Sequence, residues 1–353
     1  MRVVFDNIIF ALQRVGGISV VWQELLSRAL QDETLQKVIL DYPSDNVCRK
    51  QLDFSSMNVL QMPMRALERY RIPAYSATES TVFHSSYFRI IPSPNVKNIT
   101  TVHDLTYHYY RRGLPRWVHL WEEQRAVYGS AGIICVSEHT KADLLRFYPA
   151  LPEERVAVVY NGVGENFVPD ASVTKQGYLL FVGNRAAVYK RFDVAVHVAR
   201  LTGLPLVMIG APLSEQETAF LNSQLTEGQY SVYANVSNAT LNTFYNEALC
   251  LLYPSDYEGF GIPILEAQRA GCPVLCQAVS SIPEVMGDGG LLLPKASPIA
   301  LAREMADMVR QMLSGQIHTA DIIAKGLDNA QRFSWDKTYR QTREFYAYVN
   351  RQA

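Results

Sequence analysis

The segment Cys250-Leu251-Leu252-Tyr253-Pro254-Ser255-Asp256-Tyr257-Glu258-Gly259-Phe260-Gly261-Ile262-Pro263-Ile264-Leu265-Glu266-Ala267 decides how this chain is read. Its first residues are an apolar run of strand type. Pro263 stands where a helix opens, a position that its fixed φ favours. Between strand and helix, Gly259 and Gly261 let backbone N–H groups come close to a ligand, and the helix N-terminus behind them favours negative charge. Glu258 and Glu266 lie eight positions apart across this turn. Carboxylates beside an anion site would repel the anion, so these two are expected to face hydroxyl groups. Phosphate and hydroxyls on one loop point to a nucleotide-sugar.

The same strand–helix alternation runs outward in both directions. Met1 to Asp6 enters a strand at once, and Val82-Phe83, Ile99 to Val102, Ile133 to Val136 and Val156 to Val159 read as buried parallel strands of a first half. Tyr178 to Val182, Leu206 to Ile209, Cys250 to Tyr253 and Pro273 to Cys276 repeat the pattern in a second half. Phe192, Ala195, Val196 and Ala199 keep helical spacing between them, as do Leu241, Phe244, Tyr245, Ala248 and Leu249. This predicts an α/β chain of two doubly wound, Rossmann-like domains facing a central cleft. The aperiodic polar stretch Pro169 to Gly177 marks the boundary, giving domains at residues 1–170 and 171–334. Ser297 is expected to cap a long helix, and residues 335–353 to form a last helix after Ser334.

Composition agrees with that size. Of 353 residues, 48% are hydrophobic and 19% charged, which suits large buried cores and excludes a disordered chain. A net charge of −1 is unlike a nucleic-acid binder. No apolar run is long enough to span a bilayer, and no signal-peptide pattern opens the sequence. Cys48, Cys135, Cys250, Cys272 and Cys276 are odd in number and include no C-x-x-C pair, so they read as buried free thiols of a cytoplasmic protein.

Three further stretches carry chemistry. Gly16-Gly17-Ile18-Ser19 precedes a helical pattern and can admit a diphosphate to the backbone, or be only a turn. Val102-His103-Asp104 closes a strand, where open α/β sheets keep functional side chains. His84, also at a strand end, reads as structural. In Phe181-Val182-Gly183-Asn184-Arg185 through Lys190, a strand ends in glycine and two cations follow five residues apart. Arginine grips phosphate oxygens bidentately and lysine adds a mobile charge, so Arg185 and Lys190 suit a departing diphosphate. Walker, zinc-protease, α/β-hydrolase and complete dinucleotide fingerprints are absent from the sequence.

On these residues the chain resembles the retaining glycosyltransferases of family four, which have the GT-B fold. The resemblance runs almost end to end. It is strongest from Gly177 to Gly290, and its most specific part is Pro254 to Glu266, the family's pair of glutamates separated by seven residues. Val136-Ser137-Glu138, Val159 to Val163 and Ile282-Pro283-Glu284 support it. The resemblance implies that Arg185 and Lys190 bind the donor diphosphate, with Gly183 beside them. It implies that Glu266 holds the ribose, and that Glu258 holds the sugar with the N–H groups of Phe260 and Gly261 next to Gly259. Gly16 and Gly17 would approach the diphosphate, and His103 would orient a sugar hydroxyl. It further implies retention of anomeric configuration, no cofactor and no metal, and a C-terminal helix crossing back to the first domain. The expected reaction moves a hexose, mannose by resemblance, from a nucleotide-sugar donor to a saccharide or lipid-linked saccharide acceptor in bacterial surface polysaccharide or lipopolysaccharide synthesis.

Tyr107 to Trp121 mixes cations with aromatic rings, which suits peripheral contact with the cytoplasmic face of a membrane, or a lid packed on its own domain. Two rival readings fit the same residues. One is a non-catalytic nucleotide-sugar-binding protein. The other is a glycoside hydrolase using Glu258 and Glu266, which would have no need of the phosphate-type cations.

Overall fold

A computed structural model of the chain describes residues 1–352. Two compact units emerge, Met1–Gly162 together with the segment from Trp335 onward, and Val163–Ser334. The boundary expected near residue 170 therefore falls at Gly162. The polar stretch misled because residues ahead of it already belong to the second unit: Val163 bridges Ser334, the Val168 amide donates to Asn242, and Asn246 donates back to the Val168 carbonyl.

The first unit is a seven-stranded parallel sheet of strands β1 (Arg2–Asp6), β2 (Gln36–Asp41), β3 (Asn58–Gln61), β4 (Thr81–Ser85), β5 (Val96–Val102), β6 (Gly132–Cys135) and β7 (Val156–Val158). Their order across the sheet is β3-β2-β1-β4-β5-β6-β7. Buried on both faces, the inner strands read as near-continuous apolar runs, as parallel sheets demand. One face packs Val3, Phe5 and Ile134 against Trp22, Leu25 and Leu26 of the helix Gly17–Gln31 and Phe345, Tyr346 and Val349 of the helix Trp335–Arg351. Residues at the far end of the sequence thus complete the core of the first unit.

The second unit holds β8 (Leu179–Val182), β9 (Leu206–Ile209), β10 (Tyr230–Tyr233), β11 (Cys250–Tyr253), β12 (Val274–Gln277) and β13 (Leu291–Leu293), all parallel, in the order β10-β9-β8-β11-β12-β13. Leu179, Phe181, Met208 and Leu252 meet Val196 and Ala199 of the helix Phe192–Thr202 and Met305 and Val309 of the helix Pro298–Leu313. Ser297 caps that last helix by accepting from the Ala300 amide. All five cysteines are buried and free. No helix among the described residues is long and apolar enough to cross a membrane.

In each sheet the winding reverses once, between β1 and β4 and between β8 and β11. Loops leaving neighbouring strands at such a point diverge to opposite faces and leave a crevice at the carboxyl ends, where open α/β sheets bind ligands.

Candidate functional site

At the β8–β11 switch point the structure brings together residues that are far apart in sequence. β8 ends at Val182, and Gly183 turns the chain at φ 147°, a conformation L side chains rarely adopt. A short turn, Val188–Lys190, then leads into the helix Phe192–Thr202. β11 ends at Tyr253 and its loop returns through Gly261, at φ 106°, into the helix Ile262–Arg269. Lys190 Nζ lies 2.6 and 2.7 Å from the two carboxylate oxygens of Glu258 and 3.4 Å from the Tyr253 hydroxyl. Glu258 is 7% exposed, so this ion pair is largely withdrawn from water.

The loop carrying Glu258 is held from three sides. Ser280 Oγ accepts from the Glu258 amide at 2.8 Å, and Ser281 Oγ donates to the carbonyls of Glu258 and Phe260 at 2.9 Å. Gln277, fully buried at the end of β12, donates through Nε2 to the Pro254 and Ser255 carbonyls at 3.1 Å and to Asp256 Oδ1 at 3.0 Å. Asp256 also accepts from Arg191 Nε, and its amide donates to the Tyr189 carbonyl, tying the β11 loop to the β8 loop. Gln277, Ser280 and Ser281 escape sequence reasoning because none stands in a recognisable motif. The one available signal was Gln277 itself, a polar residue ending an apolar strand.

Arg185 does not join Lys190. Its Nε donates to Glu217 Oε1 at 3.0 Å, and its Nη2 donates to the carbonyls of Ala211 and Pro212. Nη1 is buried without a hydrogen-bond partner, and a Cβ added to Gly210 would come within 3.1 Å of it. Glu217 is committed on its other side, completing a capping box with Ser214. Glu266, in the first turns of the helix Ile262–Arg269, accepts from the Tyr245 hydroxyl at 2.9 Å. Burial pushes its carboxyl up to about 7, the hydrogen bond from Tyr245 working the other way.

The first unit places its candidates around the carboxyl ends of its own strands. Gly16 caps and Gly17 opens the helix Gly17–Gln31, and the space beside Gly17 is open. His103 follows β5, and Asp104 next to it closes the turn by accepting from the Thr106 amide at 2.9 Å. His103 lines a cavity of about 30 Å³ with Trp22, His84, Thr101, Asn161, Thr338 and Thr342. Burial lowers the His103 imidazole to about 4, with Asp104 opposing, so the ring is neutral at pH 7.

Residues 164–326 match the family described as Glycosyl transferases group 1, and residues 15–166 match Glycosyltransferase Family 4. The O-antigen chain mannosyltransferase B of Escherichia coli is 25% identical over 292 residues, 75% of this chain and 74% of that protein. The alpha-maltose-1-phosphate synthase of Mycolicibacterium smegmatis is 28% identical over 65% of this chain and 66% of its own length. Among solved structures, HepE of Anabaena in complex with UDP superposes with a TM-score of 0.73 at 14% identity, covering 98% of this chain and 99% of that one. Sucrose-phosphate synthase of Thermosynechococcus elongatus gives 0.73 at 17% identity over 99% of both chains.

Proposed function

Because the chain belongs to the group 1 glycosyltransferases of family four, with two parallel-sheet α/β units of GT-B type, we propose that it transfers a hexose from a nucleoside-diphosphate sugar, with retention and without a metal. The carrying observation is the Lys190–Glu258 pair at the β8–β11 switch point. Lys190 supplies the positive charge that a leaving diphosphate needs, and of the three Arg185 guanidinium nitrogens the buried Nη1 is the one without a hydrogen-bond partner. Charge developing on the diphosphate is stabilised by groups already in place, which is where enzymes gain most of their rate. Glu266 takes the ribose diol, and Glu258 the sugar hydroxyls, its loop fixed by Gln277, Ser280 and Ser281. As the anomeric carbon gains oxocarbenium character, the acceptor hydroxyl attacks from the face that the diphosphate leaves, and the departing phosphate oxygen takes its proton. His103, whose imidazole burial lowers to about 4 and so makes a weak proton acceptor at pH 7, orients a hydroxyl rather than acting as the base.

The mannosyltransferase relative supports mannose as the sugar and a surface polysaccharide or lipopolysaccharide as the product. A neighbouring structure carries UDP and glucose, which supports the nucleotide-sugar donor and a saccharide acceptor. The test is donor turnover with EDTA present across GDP-, UDP-, ADP- and dTDP-sugars, wild type against Glu258→Ala. Mutation-sensitive nucleoside-diphosphate release from one donor would support the proposal. Binding without release from every donor, even with lipid-linked acceptors present, would favour the non-catalytic alternative.

For a lipid-linked acceptor we further propose a peripheral membrane contact through the helix Leu114–Gly129. Leu114, Trp117 and Trp121 stand at i, i+3 and i+7 on one helical stripe and are 74%, 65% and 51% exposed. Arg111, Arg112 and Arg116 flank it, with no acidic residue between Leu105 and Trp121. The sequence segment that suggested this splits in the structure. His108 and His119 turn inward to the buried Glu123, and Tyr107 stacks on His119 with ring centroids 3.7 Å apart. Only the outer residues are left for lipid.

A further inference from the structure

His84, read from sequence as structural, connects the C-terminal helix to the cavity that holds His103. Its Nδ1 lies 2.6 Å from the Tyr346 hydroxyl, and its Nε2 lies 2.8 Å from Thr101 Oγ1. Trp22 stands edge-on to the ring at 5.0 Å, and Tyr346 does so from the other helix at 5.6 Å. Burial lowers the imidazole to about 3, so it is neutral and carries a single ring proton.

Two arrangements of that proton are conceivable, and hydrogen-bond satisfaction separates them. With the proton on Nδ1, His84 donates to Tyr346, and the phenolic O–H must find another acceptor. Among the described residues Tyr346 has no other hydrogen-bond partner, and its side chain is 0% exposed. That arrangement strands a fully buried donor, the costly outcome for a polar group. With the proton on Nε2, Tyr346 donates to Nδ1, His84 donates to Thr101, and the Thr101 O–H is displaced toward another acceptor. Thr101 lines the cavity beside His103, whose volume of about 30 Å³ accommodates a water molecule or a ligand hydroxyl.

We propose that Tyr346, His84 and Thr101 form a directed hydrogen-bond chain, through which the C-terminal helix orients the Thr101 hydroxyl as a donor into the His103 cavity. Tyr346 and His84 are positioning residues in this chain, and Thr101 is the group that meets what enters. The cavity offers it neutral hydrogen-bonding neighbours, the His103 ring and the Asn161 amide. It therefore suits an uncharged hydroxyl oxygen, of water or of a sugar, better than a phosphate. The direction of the chain stands independently of the proposed transferase activity, whereas its kinetic consequence rests on that activity.

Nitrogen-15 NMR of the histidine-labelled full chain tests the direction. The expected result is a one-bond N–H coupling at His84 Nε2 with Nδ1 unprotonated. A proton on Nδ1 would overturn the proposal. Loss of the signal in His84→Gln assigns it, and a shift confined to the same signal in Thr101→Ser assigns it if that variant does not fold. The functional arm compares Thr101→Val with Thr101→Ser. Losing one hydroxyl donor is expected to lower kcat/KM about tenfold in the valine variant, while serine stays within about twofold of wild type. Tyr346→Phe should lose a similar factor, and the double variant with Thr101→Val should lose no more than the worse single. Wild-type kinetics in Thr101→Val would remove the functional role. If the wild-type chain turned over no donor, the transferase reading would fail while the NMR result still decided the chain.

Discussion

Lys190 Nζ and the Glu258 carboxylate, 68 positions apart in sequence, meet in a two-oxygen ion pair at 2.6 and 2.7 Å. A donor diphosphate arriving at this point competes with Glu258 for the same ammonium. Glu258→Gln keeps the shape of the side chain and removes the competitor. Nucleoside diphosphate is then expected to bind more tightly, while sugar transfer slows by about 10²–10³ through loss of the charged contact. Calorimetry on the product nucleotide and turnover on the donor should thus move in opposite directions. Parallel losses in both would place Glu258 outside the competition for Lys190.

Lys190→Ala removes the other half. It leaves a carboxylate that is 7% exposed without its partner, the costly way to break a buried pair, so stability should fall together with turnover. The turnover loss should again be about 10²–10³. Lys190→Ala combined with Glu258→Gln is expected to recover much of the melting temperature and none of the activity. Thermal scans beside donor assays separate the two effects.

Glu266 sets a pH dependence. Its folded carboxyl titrates near 7, raised by burial, against about 4.3 for an unperturbed glutamate. A raised folded value means that the fold favours the protonated form. Its contribution to stability is therefore complete below about pH 4.3 and is lost as pH rises through 7. Wild-type melting temperature should fall across this window relative to Glu266→Gln, which does not titrate. Nucleotide affinity should run the other way, rising through pH 7 as the carboxylate forms and can accept from a ribose diol. Identical pH profiles for both proteins would show that Glu266 does not titrate in this window.

Gln277 makes the Glu258 loop rigid without belonging to the signature. Gln277→Leu fills the space but leaves the Pro254 and Ser255 carbonyls without their donor, at about 1–3 kcal/mol of stability. The expected kinetic mark is a fall in kcat greater than any rise in KM, since the loop would still present Glu258 but less often in register. Gln277→Glu should be worse than leucine, because its carboxylate would face Asp256. A melting curve and a Michaelis–Menten series on the preferred donor check both.

Strands and site differ in how far they could be read from the sequence. Most inner strands of both sheets announce themselves because burial on two faces makes them continuous apolar runs, whereas β2, opened by Gln36 and Lys37, escapes the reading. Of the edge strands β7 is legible, but β3, β10 and β13 are not. In β3, three of the four residues, Asn58, Leu60 and Gln61, lie exposed, β10 is at most half-buried, and β13 is three residues long. Glu258, Lys190 and Glu266 were legible because each sits on a strand–loop–helix unit whose local chemistry is its own signal. Their partners were not. That Lys190 faces Glu258 while Arg185 turns to Glu217 depends on which loops neighbour each other across the sheet, and no local spacing encodes that. His84 was read as structural for the same reason, its partner Tyr346 lying 262 residues away.

The aromatic stripe on the helix Leu114–Gly129 gives a prediction independent of the chemistry. Trp117 and Trp121 each lie within cation–π reach of an arginine, Arg116 at 5.5 Å and Arg125 at 5.2 Å from the ring centroid. Rings and cations so placed suit the boundary between headgroups and acyl chains, where indoles settle and guanidinium groups meet phosphate. Flotation with vesicles containing anionic lipid should carry the wild-type chain, and added salt should weaken the binding. Trp117→Ala with Trp121→Ala should abolish flotation while turnover on a water-soluble acceptor persists, because neither residue lies in the donor site. Arg111→Glu with Arg112→Glu should abolish it only for anionic vesicles, leaving any weak binding to neutral ones unchanged. If the wild-type chain stayed at the bottom of the gradient with anionic vesicles, the stripe would not be a membrane surface, and an exposed lid over the buried Glu123 cluster would be the better account of it.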